Sequence, residues 1–347
     1  MKSPADLVPL FVREFELCRV GPSDVVAVLS ESRTRPEYVE SSLAAARVLG
    51  ASAYEIRVGT LGSDISTVTR GIVGGIPALS RESPLLTAVG AALVNSTFVV
   101  DLVPDTILHL PIREELKRSG ARILTIVEPP DALERMFPTE EIRRSVVAAT
   151  SRLTGIRELQ LTSGAGTDLL YEFPENSHAN GQIGFVDQPG KWDHWPSALI
   201  SAYPRTASGT VVVDVGDVIL HWKRYVQAPI QLTVEDNVIT AIEGGLDAAL
   251  LRDYLESWDD PDVYAVSHVG FGMHPNAQWT ALAFYESHET LGMDARSTRG
   301  GFIFSTGPNR NIGRWVQSHI DIPLRGCTVR VDGDMILDNG RLVDLVA

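Results

Sequence analysis

Short, uninterrupted apolar runs alternate with amphipathic stretches through the first half of the chain. Asp24-Val25-Val26-Ala27-Val28-Leu29-Ser30, Thr97-Phe98-Val99-Val100-Asp101 and Arg122-Ile123-Leu124-Thr125-Ile126-Val127 are too short for helices and predict strands buried on both faces. Ala53-Tyr54-Glu55-Ile56-Arg57-Val58 reads as a further strand. Helical spacing over roughly 4–18 and 36–49 fills the gaps, with further helices between the later strands. The alternation predicts an α/β arrangement, a mainly parallel sheet covered by helices. From about residue 155 the texture changes. Brief β-runs such as Thr210-Val211-Val212-Val213-Asp214 and Ile230-Gln231-Leu232-Thr233-Val234 are separated by turn pairs, Asp332-Gly333 and Asn339-Gly340 among them, which predict hairpins. The clearest helix there runs from Asp247 to Ser257. We therefore expect an N-terminal α/β domain over 1–154 and a C-terminal mixed α+β metal-binding domain over 155–347.

The size fits that division, since 347 residues with 44% apolar content suffice for two cores. A net charge of −14 without long acidic runs disfavours nucleic acid and anionic membrane as partners and favours a small-molecule ligand. The two cysteines, Cys18 and Cys327, have no metal-ligand spacing and suggest neither a disulfide framework nor a thiolate site. No apolar stretch reaches the length of a membrane span, and the first residues lack an export signal. The expected setting is cytoplasmic, and the expected assembly a homo-oligomer. Gly164-Ala165-Gly166 after the strand Leu159-Gln160-Leu161-Thr162 lacks the third glycine and the helix of a dinucleotide fingerprint, so it reads as a turn. Gly74-Gly75 and Gly300-Gly301 read as loop glycines.

Chemistry concentrates in the histidines. Along the extended run Ser318-His319-Ile320-Asp321-Ile322, period-two alternation turns His319 and Asp321 to one face and the two isoleucines to the other. An imidazole and a carboxylate on one face need one more ligand to form the two-histidine, one-carboxylate set that binds non-haem iron and leaves positions open. His268 in Val266-Ser267-His268-Val269-Gly270 is the best candidate for it. Such a pair alone is weak evidence, because most are surface or hydrogen-bonding residues. His109 in Ile107-Leu108-His109-Leu110-Pro111 is either a satisfied core histidine, the commoner case, or a neutral base held near its titration point. Lys191-Trp192-Asp193-His194-Trp195-Pro196 suits gripping a flat aromatic ligand, or else is a buried indole pair with a structural Asp-His bond. His178 and His274 read as loop residues, and His221 and His288 receive no role.

Three separated segments carry a family likeness. Gly184 to Pro196, Ser267-His268-Val269-Gly270-Phe271-Gly272-Met273-His274-Pro275-Asn276-Ala277 and Ser318-His319-Ile320-Asp321, in this order, resemble the 2,5-dihydroxypyridine 5,6-dioxygenase family. That family is built on the scaffold of the M29, aminopeptidase T-like metallopeptidases. Where the peptidase pattern has a glutamate, the similar segment here has His268. Where it has its next histidine motif, Gly301-Phe302-Ile303-Phe304-Ser305-Thr306-Gly307 has no histidine. The resemblance thus leaves ligands for one metal and favours the dioxygenase over the alternative, an M29-type aminopeptidase using zinc or cobalt.

The resemblance implies Fe(II) held by His268, His319 and Asp321, with His109 as general base. It implies Leu108, Lys191, His194 and Ser305 as residues at the substrate, a small hydroxylated N-heteroaromatic cleaved with O2 at its 5,6 bond to N-formylmaleamate. The family pattern has a histidine three residues before the one matching His194, whereas this chain has Lys191.

Overall fold

The computed structural model describes residues 3–59, 84–104, 111–287, 289–316 and 318–343. Leu108, His109, His288, Gln317 and the Gly74-Gly75 pair lie outside them. The chain forms two compact units. One comprises Met1–Pro138, Ile183–Ser197 and His288–Leu291, and the other Thr139–Gln182, Ala198–Ser287 and Gly292–Ala347.

The first unit is the expected parallel sheet. Its strands run in the order Ser52–Arg57, Val25–Ser30, Phe98–Asp101, Arg122–Thr125 and Trp192–His194, every neighbouring pair parallel. The continuous apolar runs follow from burial on both faces. Val26, Val28, Phe98, Val100 and Leu124 join one core with Leu7, Phe11, Phe15 and Trp195. Their neighbours Ala27, Leu29, Val99 and Ile123 point the other way and join Val89, Leu93, Ile112 and Leu116. The helices Pro4–Leu17 and Pro36–Val48 supply the first layer, and Pro84–Val94 and Pro111–Ser119 belong to the second. Each opens on a proline, which fits the first helical turn because its missing N–H is unpaired there anyway.

The second unit is antiparallel, as the hairpin signals require. An eight-stranded sheet runs Val238–Gly244, Ile230–Glu235, Thr206–Val213, Asp168–Glu172, Glu158–Ser163, Cys327–Val331, Asp334–Asp338 and Arg341–Leu342. Asp332 and Gly333 both have positive φ, 48° and 92°, as do Asn339 and Gly340 at 46° and 75°; two consecutive left-handed residues make the tight turn whose twist matches the flanking strands. The Gly164-Ala165-Gly166 segment joins two antiparallel strands and is a turn. A second sheet of five strands, in the order Ile320–Leu324, Phe302–Thr306, Val266–Gly272, Leu199–Ala202 and Ala179–Gln182, carries the residues of interest. Tyr171 of the larger sheet meets Phe302 of the smaller at 6.4 Å between ring centroids, inside a core where both are fully buried. The helix expected at 247–257 is Leu246–Glu256. Among the described residues no helix is long and apolar enough to cross a membrane.

Candidate metal centre

His268 and Asp321 lie on strands that flank the central strand Phe302–Thr306. Two strand spacings separate such residues by about 10 Å of backbone, so their side chains meet only if the residue between them is small. Ser305 is that residue. It pairs directly with Asp321 and therefore shares its face of the sheet.

On the other side of Ser305 the ladder is broken, because the register with Val266–Gly272 shifts between Val266 and Val269. Such bulges recur beside functional sites because they re-aim a side chain. The main-chain groups of His268 lost to the ladder are taken up by Ser305, whose Oγ accepts from His268 N at 2.9 Å and donates to His268 O at 2.6 Å. Ser267 Oγ donates to Pro308 O, tying down the other bulged residue. Gly270 lets the next strand close in: a Cβ there would collide with Ile200 O.

The result is a triangle of donor atoms. His268 Nε2 lies 3.3 Å from His319 Nε2, and Asp321 Oδ1 lies 3.2 and 3.1 Å from the two imidazole nitrogens. These are the separations of neighbouring ligands each about 2.1 Å from a shared cation. His319 Nδ1 donates to Thr306 O at 2.8 Å, which leaves its Nε2 lone pair facing the triangle, the arrangement by which backbone carbonyls orient metal-ligating histidines. The His268 ring stands edge-on to Tyr203 at 5.7 Å, and its buried Nδ1 has no partner among the described residues. Among the described residues none gives the buried Asp321 Oδ1 a hydrogen bond of good geometry, whereas Oδ2 accepts from Arg296 Nε at 2.7 Å.

The electrostatics keep the donors in their binding forms. Burial alone would raise the Asp321 carboxyl, but His319, Arg296 and His268 hold it well below the usual carboxylate range. Burial also lowers His268, outweighing the pull of Asp321 in the opposite direction, so its imidazole is neutral near pH 7. Two imidazoles, that of His268 neutral, and one carboxylate with an unsatisfied oxygen fit a divalent metal. Among the described residues, no other group of histidine, cysteine and acidic side chains converges in this way.

Of the residues expected at the site, the structure brings together His268, His319, Asp321 and Ser305. Lys191 and His194 stand in the first unit, Lys191 exposed and His194 buried, and Leu108 and His109 lie outside the described residues. The reading of two indoles gripping a ligand fails for Trp195. It is 1% exposed, packed in the core against Phe11 at 5.1 Å and Phe137 at 6.0 Å. Trp192 is engaged by its Nε1 donating to Thr125 Oγ1 at 3.1 Å and by Arg113 4.7 Å above its ring. Asp193 accepts from the main chain, at Ile183, Gly184 and His194, rather than from an imidazole. His178 is exposed and His274 accepts from Asn276 N at 3.1 Å, as loop histidines.

Two groups near the triangle had no sequence signal. Arg296 is one. The other is His221, stacked at 4.5 Å on Tyr254 and lowered to about 4 by burial, with Lys223 and His319 adding to the effect. Its turn is tied to the ligand strand by Leu220 N donating to Asp321 O at 3.0 Å.

Fold and donors together define a protein whose antiparallel sheet carries a two-histidine, one-carboxylate cluster able to hold a metal. The chain belongs to the 2,5-dihydroxypyridine 5,6-dioxygenase family, whose model matches residues 6–344. It is 38% identical to 2,5-dihydroxypyridine 5,6-dioxygenase of Pseudomonas putida, over 98% of this chain and 97% of the relative. A solved structure of 2,5-dihydroxypyridine dioxygenase from Pseudomonas putida KT2440 superposes with a TM-score of 0.90 at 37% identity, covering 99% of each chain. AmpT from Thermus thermophilus superposes with a TM-score of 0.62 at 14% identity, over 97% of this chain and all of the other, a likeness of fold alone.

Proposed function

We propose that this chain is an Fe(II)-dependent dioxygenase that opens the ring of 2,5-dihydroxypyridine, or a close hydroxylated N-heteroaromatic, between carbons 5 and 6 to give N-formylmaleamate. The observation that carries the reading is the donor triangle of His268, His319 and Asp321, with edges of 3.1–3.3 Å, in a chain that belongs to this family. Those three residues would hold the iron. When bound, it supplies the path by which electron density of an ionised ring reaches dioxygen, a triplet that does not attack closed-shell rings directly. Ring and dioxygen together contain every atom of the product, so no external reductant enters.

The chain's own groups do the rest. Ser305 has its hydroxyl proton committed to His268 O, so toward a substrate hydroxyl it can only accept. His109 is assigned the removal of the substrate's hydroxyl proton, a step suited to a near-neutral imidazole. Leu108 and His194 are assigned to holding the ring. Lys191 is assigned to substrate choice, since a fixed ammonium favours an anionic substituent where the family pattern has a titratable imidazole.

The test is anaerobic reconstitution with Fe(II), then oxygen uptake on 2,5-dihydroxypyridine, beside amino-acid release from a dipeptide with Zn(II) or Co(II). One iron per chain, one dioxygen per ring and no peptide hydrolysis are expected, and His319→Ala and Asp321→Ala should each lose the iron. His109→Ala should keep the iron and slow turnover by about 10²–10⁴-fold. Peptide release without oxygen uptake would overturn the reading.

A further inference from the structure

We propose that Arg296 is a positioning residue that commits Asp321 to binding metal through one oxygen, and so keeps a coordination position open for the reactants. The proposal rests on the reading of His268, His319 and Asp321 as metal ligands. A carboxylate can offer a cation either oxygen or both. Here the two oxygens are divided between different partners. Oδ1 lies 3.1–3.2 Å from both imidazole nitrogens, while Oδ2 lies 2.7 Å from Arg296 Nε. The pair is shielded, the Asp321 side chain 6% and the Arg296 side chain 22% exposed. A charge-assisted bond of this length in such surroundings is a strong one.

The placement of the guanidinium is built into the backbone. Arg296 sits on the short helix Met293–Ser297, which starts from Gly292 at a left-handed φ of 78°. The helix lies hard against the end of the His268 strand. A Cβ at Gly272 would collide with Thr298 O and stand 2.7 Å from Arg296 O, so only glycine permits the approach. His274 N donates to Ser297 O at 2.8 Å and fixes the same contact. Arg296 therefore reaches Asp321 from a rigid support, which is what an orienting residue requires.

Tighter metal binding does not explain this arginine. A guanidinium beside a ligand carboxylate repels a dication and cancels the charge that attracts it. What it gains is geometry: with Oδ2 occupied, Asp321 takes one position on the metal instead of two. Loss of Arg296 frees Oδ2 to take a position that substrate or dioxygen needs.

The experiment uses full-length Arg296→Met and Arg296→Lys beside the wild type, with Asp321→Ala as control. Anaerobic titration gives Fe(II) affinity, and Co(II) loading gives a d–d absorption spectrum that reports coordination independently of turnover. Arg296→Met is expected to bind Fe(II) within about threefold of the wild type or tighter, and to turn over about 10- to 100-fold more slowly. Its Co(II) spectrum should differ from the wild type before substrate is added and change less on addition of 2,5-dihydroxypyridine. Arg296→Lys keeps a cationic donor, so it should recover part of both turnover and spectrum; it also carries the test if Arg296→Met does not fold. Equal Fe(II) binding by wild type and Asp321→Ala would mean that the metal-site reading has failed. With that control passed, wild-type turnover and spectra in the arginine variants overturn the Arg296 proposal alone, as does loss of metal in a variant with wild-type circular dichroism, which would make Arg296 mere structural support.

Discussion

Replacing Ser305 with alanine removes a single oxygen, and the structure lets its cost be worked out. That oxygen is fully buried and is partner to both main-chain groups of His268, at 2.9 Å to the N–H and 2.6 Å to the carbonyl. The bulge has already taken these groups out of register with the neighbouring strand, so no ladder partner waits to replace Ser305. A buried polar group left without a partner costs about 1–3 kcal/mol, so the two together cost about 2–6 kcal/mol. For a cooperative unit of this size each kcal/mol lowers the melting temperature by about 2–4 °C, and Ser305→Ala should melt roughly 4–24 °C lower. The same loss unfixes the backbone that aims His268, and Fe(II) affinity should fall by about 10- to 100-fold, as when other orienting partners of metal ligands are lost. Differential scanning calorimetry of the metal-free protein and anaerobic Fe(II) titration measure the two effects separately. A melting temperature within about 2 °C of the wild type, together with unchanged affinity, would refute the argument that Ser305 clamps the bulge.

Two further outcomes follow from groups elsewhere. Burial pushes Asp193 up to about 8, against the pull of three main-chain N–H donors, and Glu14, also buried, is raised beside it. A carboxyl raised in the folded state binds its proton more tightly there than when unfolded. Its stabilisation is whole below about pH 4 and drains as pH rises to about 8, by up to about 1.4 kcal/mol per pH unit. Asp193→Asn sets an amide N–H against those same donors and so is weaker at every pH, but its stability should change less with pH across that window. Parallel pH dependence in denaturant melts of both proteins would remove Asp193 as the source. Gly270→Ala drives a Cβ into Ile200 O and to 3.0 Å from Ser201 Cα, so two paired strands must part. We expect destabilisation of about 1–3 kcal/mol or more with weakened Fe(II) binding, and a denaturation midpoint equal to the wild type would contradict it.

The parts of this molecule that were legible in sequence are those decided by neighbours along the chain. Runs such as Val25 to Leu29 show their burial on two faces without any partner being known, and Asp332-Gly333 and Asn339-Gly340 state their turn geometry through their own φ preferences. His319 and Asp321 were legible for the same reason, since period two alone puts them on one face. What depends on a partner strand was not. The bulge that turns His268 is a mismatch with Phe302–Thr306, and nothing within Val266–Gly272 announces it. Arg296 finds Asp321 through a helix seated on Gly272, a relation without sequence spacing. Trp192-Asp193-His194 does not look like a parallel strand, yet it completes the sheet beside Arg122–Thr125. Trp195 shows the limit of composition: an indole suits a ligand wall and a core equally well, and only Phe11 and Phe137 around it decide.

One backbone plan can serve unrelated chemistries, because activity lies in the side chains set on it. In this chain His268 and Asp321 come from strands two apart, and the residue between them decides whether they can converge. In this chain that residue, Ser305, is small and is spent on the main chain of one ligand, while the strand that carries it ends in Ser305-Thr306-Gly307 without a side chain able to hold a second metal. A hydrolase that clamps its water between two metals needs donors on both sides of it, and among the described residues only the one triangle converges. A metal held by these three donors, with the second Asp321 oxygen engaged by Arg296, would keep coordination positions for two reactants, and that is the requirement of joining a ring to dioxygen rather than of adding water to an amide.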